Sequence, residues 1–117
     1  MSWDHVHDSH AAFRACLEAL SRPGARIVGL PRPGLSENAA HDAAAGILLT
    51  LLDPSLGLAC AGEAETVELG ARIRELTGAE EVRVEEADFL FAGRRRELDV
   101  AGRARRGSAL APERGAT

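Results

Sequence analysis

Residues 43–54, AAAGILLTLLDP, decide the fold because they would be apolar on nearly every side of a helix. A helix of this kind is buried rather than amphipathic. Asn38 can cap its start, and Pro54 stops it because proline cannot continue a helix. The pattern therefore predicts a buried helix that runs from about residue 38 to Asp53.

On both sides of this helix, further helices alternate with short apolar strands. Upstream, Asp8 or Ser9 can cap a helix that Pro23-Gly24 ends, and its apolar residues are Phe13, Cys16, Leu17 and Leu20. Downstream, Thr66 can cap a helix that ends at Gly78, with Glu68 and Arg72 placed to pair. Strands are predicted at residues 26–30, 56–60, 82–84 and 87–91. This alternation predicts an α/β fold with helices layered on a mixed sheet.

The composition is that of one soluble domain spanning residues 1–117, with 45% hydrophobic and 27% charged residues. No apolar run approaches the roughly 20 residues that a membrane-spanning helix needs. The N-terminus lacks the basic and apolar regions of a signal peptide, so a cytoplasmic location is expected. In that reducing compartment, Cys16 and Cys60 are expected to be free thiols.

The charged residues exclude two classes of chemistry. All 14 basic residues are arginine, so neither a Schiff base to pyridoxal phosphate nor a P-loop lysine is available. Residues 1–93 hold 7 arginines against 15 acids, whereas residues 94–117 hold 7 arginines against 3 acids. The basic end can meet an anion or an acidic partner, or it can be a flexible tail. Without aromatic residues among these arginines, nucleic acid binding is not predicted.

Three groups are candidates for binding. Imidazoles at the spacing of His5, His7 and His10 can bind zinc, but no cysteine or carboxylate sits at a supporting metal-ligand spacing, so no metal site is predicted. Residues 33–38 precede a helix N-terminus, where backbone amides can hold a phosphate. Glu113 and Arg114 are adjacent and lie between Gly107 and Gly115. This pattern is typical either of a contact to a ligand or partner or of a salt-bridged turn. No catalytic residue or cofactor site is predicted.

Four blocks, taken in order, resemble the PhnH family, a subunit of the bacterial carbon–phosphorus lyase system. They are ALSRPG at 19–24, LLTLLDP at 48–54, ADF at 87–89 and GSALAPERGAT at 107–117. One departure is Leu76-Thr77, where members often carry a His-Thr pair. The family continues beyond the equivalent of Thr117, so the chain is expected to correspond to the N-terminal portion of the family fold, with residues 94–117 flexible.

The resemblance implies a fold similar to pyridoxal-phosphate-dependent transferases, without that cofactor. It also implies a homodimer that assembles with PhnG, PhnI and PhnJ homologues, in a complex where a phosphonate displaces adenine from ATP. An accessory subunit without independent catalysis is the expected function. The alternatives are a small independent enzyme that uses the N-terminal histidines or Arg114, and a non-functional truncated fragment.

Overall fold

The computed structural model describes residues 3–27, 29–93 and 117. The chain divides into two compact units, Met1–Leu51 and Leu52–Thr117. Within these described residues, the first unit contains two helices, and the second contains a small sheet with one helix and a 3₁₀ turn. The expectation of one domain over residues 1–117 stays a prediction.

Helix α1, His7–Ser21, begins at a reciprocal pair of carboxylates. Asp4 Oδ1 accepts hydrogen bonds from the amides of Val6 and His7, both at 2.9 Å, and Asp8 Oδ2 accepts one from the amide of Asp4 at 2.7 Å. The prediction that Asp8 or Ser9 caps this helix was therefore wrong, because the helix begins earlier and Asp4 supplies the acceptor. Its end just before Pro23 agrees with the prediction.

Helix α2, Ala39–Leu51, is the predicted buried helix. The amide of His41 donates to Asn38 Oδ1 at 3.1 Å, which confirms the predicted cap. Leu48 and Leu49 are buried, at 8% and 2% exposure. Helix α1 packs against α2 within this unit, and both helices bury small residues, Ala12 and Ala45.

The strand predicted at 26–30 is wrong for the four of its residues that the structure describes, because none of these belongs to a strand. Gly29 has φ of 83°, a left-handed conformation that interrupts an extended chain. Val28 lies outside the described residues.

The second unit is built on three strands, β1 (Gly57–Ala61), β2 (Glu80–Glu81) and β3 (Phe89–Ala92). Helix α3, Ala64–Thr77, connects β1 to β2. The strands lie in the order β2-β1-β3 and are all parallel, with Leu58 opposite Phe89. Helix α3 packs on β1 and β3, where Leu58 and Ile73 are fully buried. These elements confirm the α/β class, but the predicted mixed sheet was wrong for the described residues, where every strand pair is parallel.

Two different residues define the two ends of α3. Glu63 takes the N-cap position, so the predicted cap Thr66 instead lies buried in the first turn. Gly78 adopts φ of 78° after the last turn, as predicted, and its amide donates to the carbonyl of Arg74 at 2.8 Å. Among the described residues, no ion pair joins Glu68 to Arg72, against the expectation.

The strand predicted at 82–84 is replaced by two shorter elements. Strand β2 ends at Glu81, and a 3₁₀ turn, Val84–Glu86, follows. The side chain of Val82 packs over Gly57, where a Cβ would approach within 2.8 Å of Val82 Cγ2. Arg83 Nη2 then meets Glu86 Oε1 at 2.8 Å across the turn. The alternating valines thus mark the exit from the sheet.

The outer edge of β3 carries a further pair of backbone hydrogen bonds. The amide of Leu90 donates to the carbonyl of Thr117 at 2.6 Å, and the amide of Thr117 donates to the carbonyl of Asp88 at 2.7 Å. This exchange is the pattern of two neighbouring parallel strands. Thr117 therefore lies against the side of β3 that faces away from β1.

Candidate functional site

Among the described residues, Asp42 is a buried charged side chain, 1% exposed in the first turn of α2. Arg32 Nε donates to its Oδ2 at 3.0 Å, and the amide of Gly34 donates to the same oxygen at 3.2 Å. The other oxygen, Oδ1, accepts from the amides of Leu35 at 2.8 Å and Ser36 at 3.3 Å. One buried side chain therefore holds the whole turn that leads into α2.

These contacts decide the charge of Asp42. Burial raises the pKa of the carboxyl, but the hydrogen bond from Arg32 and the three amides outweigh burial and hold the pKa below its ordinary value of 3.8. Asp42 is therefore a carboxylate at neutral pH. Its neutralising partner, Arg32, has a half-exposed side chain.

The backbone amides that were predicted to hold a phosphate thus already have a hydrogen-bond partner within the chain. Gly34, Leu35 and Ser36 direct their N–H groups at Asp42. The amide of Asn38 donates to Ser36 Oγ at 3.1 Å, while Asn38 itself caps α2. An external anion would have to displace the carboxylate, so the turn is better suited to fixing the helix than to binding a ligand.

A second candidate lies at the carboxyl ends of β1 and β3, the edge where parallel sheets commonly bind ligands. Gly62 and Gly93 follow these two strands, and Gly62 has φ of 146°. A Cβ at Gly93 would collide with Thr66, which is 3% exposed, and a Cβ at Gly62 would lie in tight contact with it, at 3.1 Å. Thr66 therefore fills the space between the two strand ends, and α3 closes tightly over this edge.

Among the described residues of the second unit, Cys60 on β1 is a nucleophile that lies close to a cation. Arg74 Nη1 lies 3.7 Å from Cys60 Sγ, and Arg74 Nη2 lies 4.0 Å from Glu81 Oε1. Burial raises the pKa of the Cys60 thiol, and the nearby guanidinium only partly opposes this effect. A thiol in this state is a poor nucleophile at neutral pH.

The other residues singled out in the sequence are placed as follows. Glu113 and Arg114 lie outside the described residues. His5 precedes α1, whereas His7 and His10 belong to it. Within the described part of the chain, no group of three or more His, Cys, Asp or Glu side chains is arranged to hold a metal ion. Leu76, at the departure from the family pattern, is 41% exposed near the end of α3.

Sequence reasoning missed Asp42 and Arg32. The available signal was an acid in the first turn of a helix that is otherwise apolar, with an arginine in the turn before it. Many helices carry an acid near the N-terminus because of the helix dipole, so the pattern alone does not reveal a buried pair.

Comparison with known families shows which family the chain belongs to. A family model described as bacterial phosphonate metabolism protein (PhnH) matches residues 2–117. The chain belongs to the PhnH family. PhnH membership confirms the resemblance carried by the four sequence blocks and assigns the chain to bacterial phosphonate metabolism. No curated protein matches the chain. None of the helices in the described ranges of this PhnH chain is both long and apolar enough to cross a membrane.

Proposed function

We propose that the chain is an accessory, non-catalytic subunit of the carbon–phosphorus lyase core complex. In this role it would support the synthase step in which a phosphonate displaces adenine from ATP. Its partners would be PhnG, PhnI and PhnJ homologues, in the cytoplasm, with the chain itself present as a homodimer. The PhnH match over residues 2–117 is the observation that carries the proposal.

The chemistry of the described residues favours a supporting role. The buried carboxylate of Asp42 is engaged by Arg32 and by three amides of its own chain. The thiol of Cys60 is held protonated by burial. The hydroxyl-bearing Thr66 packs between two strand ends. These three groups thus serve the fold, which fits a subunit that contributes binding surface.

The test is reconstitution with the PhnG, PhnI and PhnJ homologues of the same source. We expect the tagged chain to co-purify with them and to be required for phosphonate-dependent release of adenine from ATP. A complex that forms and reacts at the full rate without this chain would contradict the proposal.

A variant in which His5, His7 and His10 are all alanine distinguishes the subunit role from the alternative of an independent enzyme. The subunit role predicts that this variant supports adenine release in the complex as the wild type does. Adenine release by the wild-type chain alone, lost in the triple variant, would instead favour the enzyme.

A further inference from the structure

Helix α1 carries its large apolar side chains on the outside. Phe13 is 46% exposed and Leu17 50%, while Leu20 and Val6 reach 78% and 74%. Val6 directly precedes the helix and already has helical backbone angles, so the apolar row begins there. The residue that α1 buries completely is the small Ala12. The apolar face of this helix is therefore presented away from the core of its own unit.

The exposed row has the spacing of a helix–helix contact. Residues 6, 10, 13, 17 and 20 follow each other at alternating steps of four and three, the repeat that keeps one seam against a partner helix. His10 is the polar member of this seam. Residues 6–20 span about 21 Å at a rise of about 1.5 Å per residue. We call these five positions the α1 seam.

The charges beside the α1 seam indicate what it can bind. One flank consists of His7, Arg14 and Ser21, and the other contains Ser9 and Cys16. Within the described part of the chain, Arg14 has no ion-pair partner. Glu18, the nearest acid around the helix, is held by Arg22 at 3.1 Å. The seam is thus bordered by one unneutralised cation and by no carboxylate.

Pairing of α1 with a second copy of itself would leave this charge uncompensated. Neither flank carries an acid, so a parallel or an antiparallel pair of α1 helices offers Arg14 no carboxylate. An antiparallel pair would also bring the Arg14 flanks of the two copies together. Charge complementarity therefore favours a different helix, since flanking charges set partner choice in such contacts.

We propose that the α1 seam docks an amphipathic helix of another protein, one whose apolar stripe is flanked by glutamate or aspartate. This inference rests on the proposed subunit role and specifies a surface through which that role is exercised. The proposed homodimer would then use a different surface of the chain.

The first test uses two synthetic amphipathic peptides about three heptads long. Both carry leucine along the stripe, flanked in one by glutamate and in the other by lysine. Fluorescence anisotropy with the full-length chain should show binding of the glutamate peptide, weakened by salt, and much weaker binding of the lysine peptide. Equal binding of the two peptides, or no binding of either, would overturn the inference.

Matched variants assign that binding to the α1 seam. Phe13→Ser and Arg14→Glu should each weaken binding of the glutamate peptide by about tenfold or more, the loss typical of a central anchor. Val67→Ser and Arg72→Glu, at exposed positions of α3, should leave it unchanged; Val67 has the same 46% exposure as Phe13. Circular dichroism checks that each variant is folded. Equal losses in both sets would overturn the assignment.

Co-purification separates this inference from the proposed function. If the wild-type chain and its Phe13→Ser variant both co-purify with the PhnG, PhnI and PhnJ homologues, the subunit role stands and the docking surface is wrong. If the wild-type chain does not co-purify, the subunit role is wrong and the docking inference falls with it. Concentration-dependent self-association that Leu17→Ser abolishes would identify a second copy as the occupant and also overturn the inference.

Discussion

The sulfur of Cys60 on β1 occupies the space that a methyl group at Gly70 on α3 would need. Without the sulfur, the nearest Cys60 atom would be its Cβ, 3.4 Å from a Cβ at residue 70. The close approach of α3 to the sheet therefore depends on a glycine in the middle of a helix, where glycine is otherwise unfavourable.

This relationship predicts that the effect of Gly70→Ala on stability changes sign when Cys60 is replaced by alanine. In the wild-type background, Gly70→Ala should destabilise the chain by about 1–3 kcal/mol, because the core is overpacked. In a Cys60→Ala background the same change should be neutral, or stabilising by up to about 1 kcal/mol, since alanine favours the helix. Urea unfolding of the four proteins gives the coupling energy. Equal effects of Gly70→Ala in both backgrounds would refute the proposed contact.

The buried helix α2 offers a pair of neighbouring leucines at different depths. Leu49 is 2% exposed, whereas Leu51 is only partly buried. We expect Leu49→Ala to cost about 2–5 kcal/mol of unfolding free energy. Leu51→Ala should cost less, because less apolar surface leaves contact with the protein. The two midpoints in urea provide the comparison, and a larger loss for Leu51→Ala would contradict the assigned helix face.

Asp42 should make the chain sensitive to acid. Because its pKa is lowered in the folded state, its contribution to stability is present above the unfolded value of 3.8 and is lost as the pH falls through the lower folded pKa. Asp42→Asn should cost roughly 1.5–3 kcal/mol at pH 7, the range for hydrogen bonds to a charged group.

The same substitution should also flatten the dependence of stability on pH below about 4, where the carboxylate titrates. Asp53→Asn is the control: Asp53 also has a lowered pKa but is exposed, and within the described part of the chain its carboxylate accepts hydrogen bonds from the nearby Ser55. Thermal unfolding between acid and neutral pH supplies the measurement. An unchanged acid limb in Asp42→Asn would show that other carboxyls control acid unfolding.

Ser9 predicts a stabilising substitution. Its hydroxyl oxygen is buried and, among the residues that the structure describes, has no hydrogen-bond partner. Ser9→Ala removes this unsatisfied group and introduces a better helix former, so stability should rise by up to about 1 kcal/mol. In the control, Ser21→Ala, the hydroxyl that is removed donates to the carbonyl of Glu18 at 2.9 Å. A loss of stability in Ser9→Ala would mean that the hydroxyl is satisfied in solution.

The sequence predicted best where one local rule decides the structure. The apolar run of α2, the Asn38 cap and the Gly78 stop each depend on a few adjacent residues, and all three were predicted. The exit from β2 was not, because the valines near residue 83 alternate as a strand would, while the chain turns at this point.

The candidate site was harder to predict, because it depends on contacts between distant positions. Asp42 becomes the partner of Arg32 only when the intervening turn folds back on α2. Periodicity likewise gives the spacing of Phe13 and Leu17 but not the side of α1 that meets the core. Small residues such as Ala12 can bury a face just as well.

The outward placement of Phe13, Leu17 and Leu20 separates two properties of α1. The residues that hold this helix in its unit are not those that a docked helix would cover, so affinity and folding stability can change independently. Substitutions along the outer row can therefore retune partner choice at little cost to the fold. In the uncomplexed chain the same exposed apolar row favours aggregation. The solubility of the chain in the cell would therefore depend on how soon after synthesis a partner binds.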